Sequence, residues 1–137
     1  MIVVLDTNVI MDALQERSPF DVEAKEILKH AQDGKFTCLI TANAVTDIFY
    51  LYSKTHGVKS AKAVLAFMFM NYGVVSVTHD NCKAALSLHI DDFEDALVVI
   101  CAQRAGADYI ITRDDDFLLA ASPVKLISPK KFVAMLL

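Results

Sequence analysis

The chain is short of the features that would place it in several large protein classes. Its longest uninterrupted apolar run is the eight residues from Ala63 to Met70, far below the roughly 18 that a membrane-spanning helix needs. No basic segment precedes the first apolar stretch, and Asp6 follows that stretch at once, so no secretory signal is expected. The three cysteines (Cys38, Cys82 and Cys101) are an odd number without C-x-x-C spacing. They read as small apolar side chains kept reduced, in the cytoplasm. The four histidines (His30, His56, His79 and His89) are scattered, with no pair at zinc-ligand spacing. A formal net charge of −4 argues against a broad basic face that binds nucleic acid without selectivity. There is no repeat, linker or low-complexity segment. No glycine-rich loop follows the first apolar run, which speaks against a dinucleotide-binding domain.

What is present is enough for one domain spanning residues 1–137, with no length left for a second. Hydrophobic residues are 55% of the chain, above the usual ~45–50%, so several elements must be buried on more than one side. Only four glycines occur, and Gly34, Gly57, Gly73 and Gly106 all fall where one pattern gives way to another. Between them, β-like runs (residues 2–5, 36–40, 74–77, 109–111 and 125–127) alternate with helical patterns at about 20–32, 41–56, 60–72, 79–89 and 91–105. A last helix opens at Pro129. This alternation predicts an α/β fold, a three-layer sandwich around a mainly parallel sheet of about five strands. Functional groups in such sheets gather beyond the carboxyl ends of the strands.

Carboxylates stand at those positions. Asp6 follows the first strand, and Asp114, Asp115 and Asp116 follow the strand at 109–111. Asp95 projects in line with Val99 and Ala102 on the most apolar helix, with Asp92 close to that line. An acid facing a core needs a compensating partner, and no cation precedes Arg104 on that helix. Each acid also has a plainer reading. Asp92 and Asp95 have the spacing of a helix cap and its third residue, Thr7 or Asn8 could cap the helix after strand one, and residues 114–116 could be a solvated turn. Those readings do not explain why three acidic sites converge on one sheet edge. A cluster of carboxylate oxygens suits Mg²⁺ or Mn²⁺ and, through it, phosphodiester hydrolysis.

The residues also resemble a known family. Val3-Val4-Leu5-Asp6-Thr7-Asn8-Val9-Ile10 is similar to the opening signature of PIN domains. Asp92-Phe93-Glu94-Asp95-Ala96-Leu97 resembles their third acidic motif. Ala107 to Asp114, with Asp116-Phe117 after it, resembles the fourth, a T-R-D turn closed by D-F. The three motifs occur in the family's order and separations over essentially the whole chain. The resemblance implies a five-stranded parallel sheet and a metal-dependent ribonuclease using Mg²⁺ or Mn²⁺. It also implies an RNA substrate, the toxin half of a toxin–antitoxin pair with an antitoxin protein as partner, and a homodimer. By resemblance Asp6, Asp95 and Asp114 carry the metal or position the attacking water. Asp116 is an additional or alternative ligand, and Thr7, Asn8, Asp92 and Thr112 support the carboxylates.

One departure matters. The family's second acid is usually Glu on the helix after strand two, and the matching position here is Asp47, one methylene shorter. Helical projection sets Asp47 opposite a Val45–Phe49–Tyr52 stripe, facing solvent, so its catalytic role rests on the resemblance alone. Two other functions fit less well. A haloacid-dehalogenase-type phosphatase needs a second Asp two residues after the first, where Asn8 stands. A non-catalytic PIN-like scaffold that binds RNA or protein is kept open by the Asp47 change, although the retained acids oppose it. The stretch Leu65 to Met70 is apolar on every side of a helix, which calls for a central core position or another subunit. A two-fold dimer would also let Lys54, Lys59 and Lys62 of both copies line an RNA path.

Overall fold

The computed structural model describes residues 1–137. Strands β1 (Ile2–Leu5), β2 (Thr37–Thr41), β3 (Gly73–Val75), β4 (Tyr109–Ile111) and β5 (Lys125–Ile127) form one sheet in the order β3-β2-β1-β4-β5. Every neighbouring pair is parallel. The chain therefore fills one side of β1 first and then crosses to the other. The topological switch lies between β1 and β4, where a crevice opens beyond the strand ends.

Helices cover both faces: α1 (Thr7–Leu14), α2 (Asp21–Gln32), α3 (Ala42–Asn71), α4 (His79–Ala85), α5 (Phe93–Arg104), α6 (Asp115–Leu118) and α7 (Pro129–Leu136). Side chains of β1 alternate between two cores, as the pleat requires. Val3 and Leu5 join the larger one, with Ile10, Ile27, Ile48 and Phe132 from the helices. Val4 joins the other, with Ile110, Val98, Val99 and Phe117. Burial on both faces is why β1 is continuously apolar rather than alternating. Helix α5 is buried without interruption from Ala96 to Ala102, because α4 packs against the side that the sheet leaves free.

The three-layer parallel α/β architecture is the one the sequence predicts. Differences are local. Helix α4 stops at Ala85 rather than near His89, since the amides of Leu86, Ser87 and Leu88 donate hydrogen bonds to the Lys83, Ala84 and Ala85 carbonyls in tighter turns. Helix α5 starts at Phe93 because Asp92 caps it. The last turn of α3 is also not a core helix. Within Leu65 to Met70 only Met68 is buried, while Phe67, Phe69 and Met70 are 48%, 50% and 83% exposed.

Gly57 divides α3 into two rods. Its φ of 84° and ψ of 164° interrupt the helix, a conformation open essentially to glycine alone. A methyl group there would meet no neighbouring atom, so strain would come from the backbone only. Gly57→Ala is therefore expected to lower stability by about 1–3 kcal/mol, less what the stiffer unfolded chain returns. Urea denaturation with an unchanged m-value would check it, and an unchanged or raised midpoint would contradict it.

Candidate active site

Asp6 sits where β1 ends, at the switch point, and is 8% exposed. A carboxylate so placed must be hydrogen-bonded. Its Oδ1 accepts from the Thr7 amide at 2.9 Å, capping α1. Its Oδ2 accepts from the Thr112 hydroxyl at 2.8 Å and from the Asn8 side-chain amide at 3.2 Å. Thr112, fully buried just past β4, also accepts from the Asp114 amide at 3.1 Å. Asn8 Oδ1 receives the Arg113 amide at 3.3 Å. The D-T-N and T-R-D segments, more than a hundred residues apart, are thus one hydrogen-bonded unit. Asp6, rather than Thr7 or Asn8, is the residue that caps α1.

An ion pair between a buried acid and a half-buried arginine fastens the same turn from behind. Asp12 on α1 is 1% exposed and takes a bidentate contact from the Arg113 guanidinium, which binds through Nε and, at 2.9 Å, through a terminal nitrogen. The guanidinium also lies 4.1 Å from the Phe20 ring centroid. The planar fork of arginine suits this double duty, which lysine could not perform.

The remaining acids face Asp6 across a pocket of about 400 Å³ lined by Asp6, Asp47, Asp92, Glu94, Asp95 and Asp114. Asp92 caps α5, accepting the Asp95 amide at 3.0 Å. Asp114 caps the short α6, accepting the Asp116 amide at 3.0 Å. The capping reading of Asp92 holds, whereas residues 114–116, read as a solvated turn, instead open the short α6 with Asp114 as its cap; both carboxylates remain on the pocket wall. Asp116 is exposed and misses this pocket; it borders adjoining depressions with Asp114, in one case also with Asp92 and Asp95.

Two residues correct the expectation from sequence. Asp47 does not face solvent. The buried face of this half of α3 is Ala44 and Ile48, not Val45–Phe49–Tyr52, so Asp47 turns half-buried into the acidic pocket. Glu94 was not expected there at all, yet it lines the same wall. Its position directly before Asp95 in the D-F-E-D segment was the available signal. The only cation in the pocket lining is Arg17, which also reaches Asp12 at 3.8 Å and Gln15 at 2.7 Å.

Like charges in one recess raise one another's pKa, and burial adds to this. Burial raises Asp6, against the hydrogen bonds from Thr112 and Thr7, with Asp114 and Asp92 adding to the rise. Glu94 is raised by burial and by Asp47, Asp6 and Asp92. Asp95 is pushed up to about 7, first by burial and then by Asp92, Asp6, Asp114 and Glu94. No three acids stand at ligand spacing in this structure. The donor chemistry nevertheless fits a hard cation: all oxygen, without cysteine or histidine, and short of protein cations.

The family model described as PIN domain matches residues 2–116. Similar solved structures include VapBC2 from Rickettsia felis bound to a promoter DNA fragment, with a TM-score of 0.70, 17% identity, and 93% of this chain and 98% of that chain covered. VapC20 of Mycobacterium tuberculosis, a toxin that cleaves the sarcin–ricin loop, gives 0.67 and 18%, covering 84% and 92%. A toxin–antitoxin complex from Klebsiella pneumoniae gives 0.69 and 20%, covering 93% and 97%. At such identities these structures establish the fold. No curated protein is matched by the sequence.

The raised acids make stability depend on pH in a stated direction. An unfolded aspartate titrates near 3.8, whereas folded Asp95 titrates near 7. Between those values the folded chain binds more protons than the unfolded one, so stability falls as pH rises through the window and levels above it. Without divalent metal, the melting temperature is expected to drop from pH 4 toward pH 7 relative to Asp95→Asn, which loses this component. Parallel profiles for the two proteins would refute the assignment.

Proposed function

The chain belongs to the PIN-domain family, and from that premise we propose that it is a metal-dependent ribonuclease, the toxin component of a toxin–antitoxin pair. The observation that carries the reading is Asp6, locked by Thr7, Asn8 and Thr112, facing Asp95 and Asp114 across one acidic pocket. Phosphodiester hydrolysis needs a place where negative charge can be neutralised as it develops and where water can be activated. A bare carboxylate cluster opposes both, because it repels the phosphate. The same cluster around Mg²⁺ or Mn²⁺ favours both, and that ion supplies polarisation of the phosphate and activation of water.

Asp6, Asp95 and Asp114 would hold the ion, with Asp116 supporting from the rim. Thr7, Asn8 and Thr112 keep Asp6 from turning away, and Asp92 fixes the start of α5 and so the position of Asp95. Asp47 serves in place of the family's Glu, and Glu94 beside it extends the reach of that wall by one methylene. The exposed Phe67, Phe69 and Met70 support a homodimer built on the second rod of α3, since apolar clusters of this kind mark interfaces. Lys54, Lys59 and Lys62, all exposed, would then border the RNA path. Similar folds occur in toxin–antitoxin complexes, which supports an antitoxin as the other partner.

Cleavage of RNA should depend on added Mg²⁺ or Mn²⁺ and vanish in excess EDTA. Asn at Asp6 or Asp95 should reduce it by about a hundredfold or more, with the fold intact by circular dichroism. Asp114→Asn should cost more activity than Asp116→Asn. Full cleavage in EDTA, or by the Asp95→Asn protein, would remove the hydrolytic mechanism, and RNA binding without cleavage would favour a scaffold. Sedimentation at micromolar concentration should show a dimer that Phe69→Lys or Met70→Lys dissociates; a monomeric parent would exclude it.

A further inference from the structure

A second recess continues from the acidic pocket, sharing Arg17 with it. It runs between the end of α1 and the first rod of α3 and is lined by Leu14, Gln15, Glu16, Arg17, Tyr52, Thr55 and His56. Gln15 joins its two sides, donating to the Leu51 carbonyl at 3.3 Å and to Thr55 Oγ1 at 3.5 Å. His56 is exposed, yet its ring is held twice. It stacks on Tyr52 at 4.2 Å between centroids with a 12° interplanar angle, and its Nδ1 lies 2.8 Å from Thr55 Oγ1. Both partners are on its own helix, so an exposed aromatic ring lining the recess is held in place immediately before the Gly57 break.

We propose that this groove holds the single-stranded RNA adjoining the scissile phosphate, with Arg17 contacting a backbone phosphate and the His56–Tyr52 stack receiving a nucleobase. The proposal rests on the ribonuclease reading for its substrate. It answers a difficulty in that reading: a polyanion must approach a pocket whose lining is mostly carboxylate. Arg17 is the single cation at the junction of the two recesses, and its guanidinium contacts to Asp12 and Gln15 hold it ready for a phosphate. Asp12 keeps Arg113 as a partner when Arg17 engages RNA. From Asp47 to His56 the helix advances about 13 Å at 1.5 Å per residue, which places the ring a short stretch of strand away from the acids. A π-face accepts any base, so the contact gives affinity with little sequence preference. Lys54 is on the rod that carries His56 but outside the groove lining, with its Nζ 4.9 Å from the Tyr50 ring centroid.

The test reads binding separately from cleavage. In the Asp95→Asn protein, anisotropy of a short fluorescein-labelled single-stranded RNA should report an affinity that His56→Ala weakens about tenfold and His56→Phe retains. Arg17→Gln should lower the slope of log K against log salt by about 0.7, the value for one phosphate on a single strand. His56→Ala should leave that slope alone, which a merely structural effect on the groove would not separate. Melting temperatures of all variants serve as the folding control. Equal affinities for the Ala and Phe variants, an unchanged slope for Arg17→Gln, or no RNA binding by the parent would each overturn the groove. If the parent cuts RNA while both substitutions are silent, the groove fails and the nuclease stands. If the parent never cuts but the binding series behaves as described, the nuclease reading fails and the groove stands.

Discussion

The organisation of the site depends on keeping one carboxylate, Asp6, ionisable inside the end of a parallel sheet. Transfer of an unpaired carboxylate into such a place would be prohibitive, and the surrounding sequence is arranged to prevent that. Thr7 offers its amide, Asn8 its side chain and Thr112 its hydroxyl. Thr112 is then committed at both ends, donating to Asp6 and accepting from the Asp114 amide. This single hydroxyl couples the ends of β1 and β4, so the position of Asp114 follows from that of Asp6. The Asp12–Arg113 pair braces the same turn from the protein side. Losing Arg113, whose side chain is a third exposed, would leave the buried Asp12 carboxylate with only its longer contact to Arg17 and would release the turn that carries Asp114.

Burial and like charge work against the fold at this edge. Asp6, Glu94 and Asp95 are all raised, so the protein forgoes stability at neutral pH to hold acids that have too few protein cations. Stability is recovered elsewhere, in a β1 strand buried on both faces and an α5 helix buried from Ala96 to Ala102. The most strongly packed elements are thus the ones that carry Asp6 and Asp95. A rigid core is what fixes carboxylates that would otherwise move apart.

How much of this was legible in the sequence depends on the range of each interaction. Strand β1 and helix α5 are readable because continuous apolar runs, one ending at Asp6 and one beginning after Asp95, are local patterns. Asp95 was readable because Val99 and Ala102 lie on its line. For Asp47 the resemblance and the projection disagree, and the structure sets it in the pocket lining; the projection fails because it sees only its own helix. The stripe chosen, Val45–Phe49–Tyr52, is half-buried, and the fully buried pair is Ala44 and Ile48. Glu94 lines the same pocket as Asp95, and that follows from the tertiary arrangement, which the pattern of a single helix does not contain. The Asp12–Arg113 pair joins residues 101 apart, and nothing local announces it. The apolar end of α3 showed the limit of composition, which could state that Phe67 to Met70 need cover but not what provides it.

The acidity of the chain takes on a different meaning once these positions are known. A net charge of −4 would oppose a polyanion if it were spread evenly, but several of the acids line one recess. Arg17 stands on the border of that recess and the His56 groove. Fields near a protein surface are screened within about 8 Å at physiological salt, so a phosphate at Arg17 responds to its immediate neighbours more than to the molecular total. Inside the pocket the acids stand close enough to raise one another, as Asp92, Asp6, Asp114 and Glu94 do to Asp95. An acidic protein can therefore set one arginine, Arg17, at the border of a recess that is otherwise lined by carboxylates.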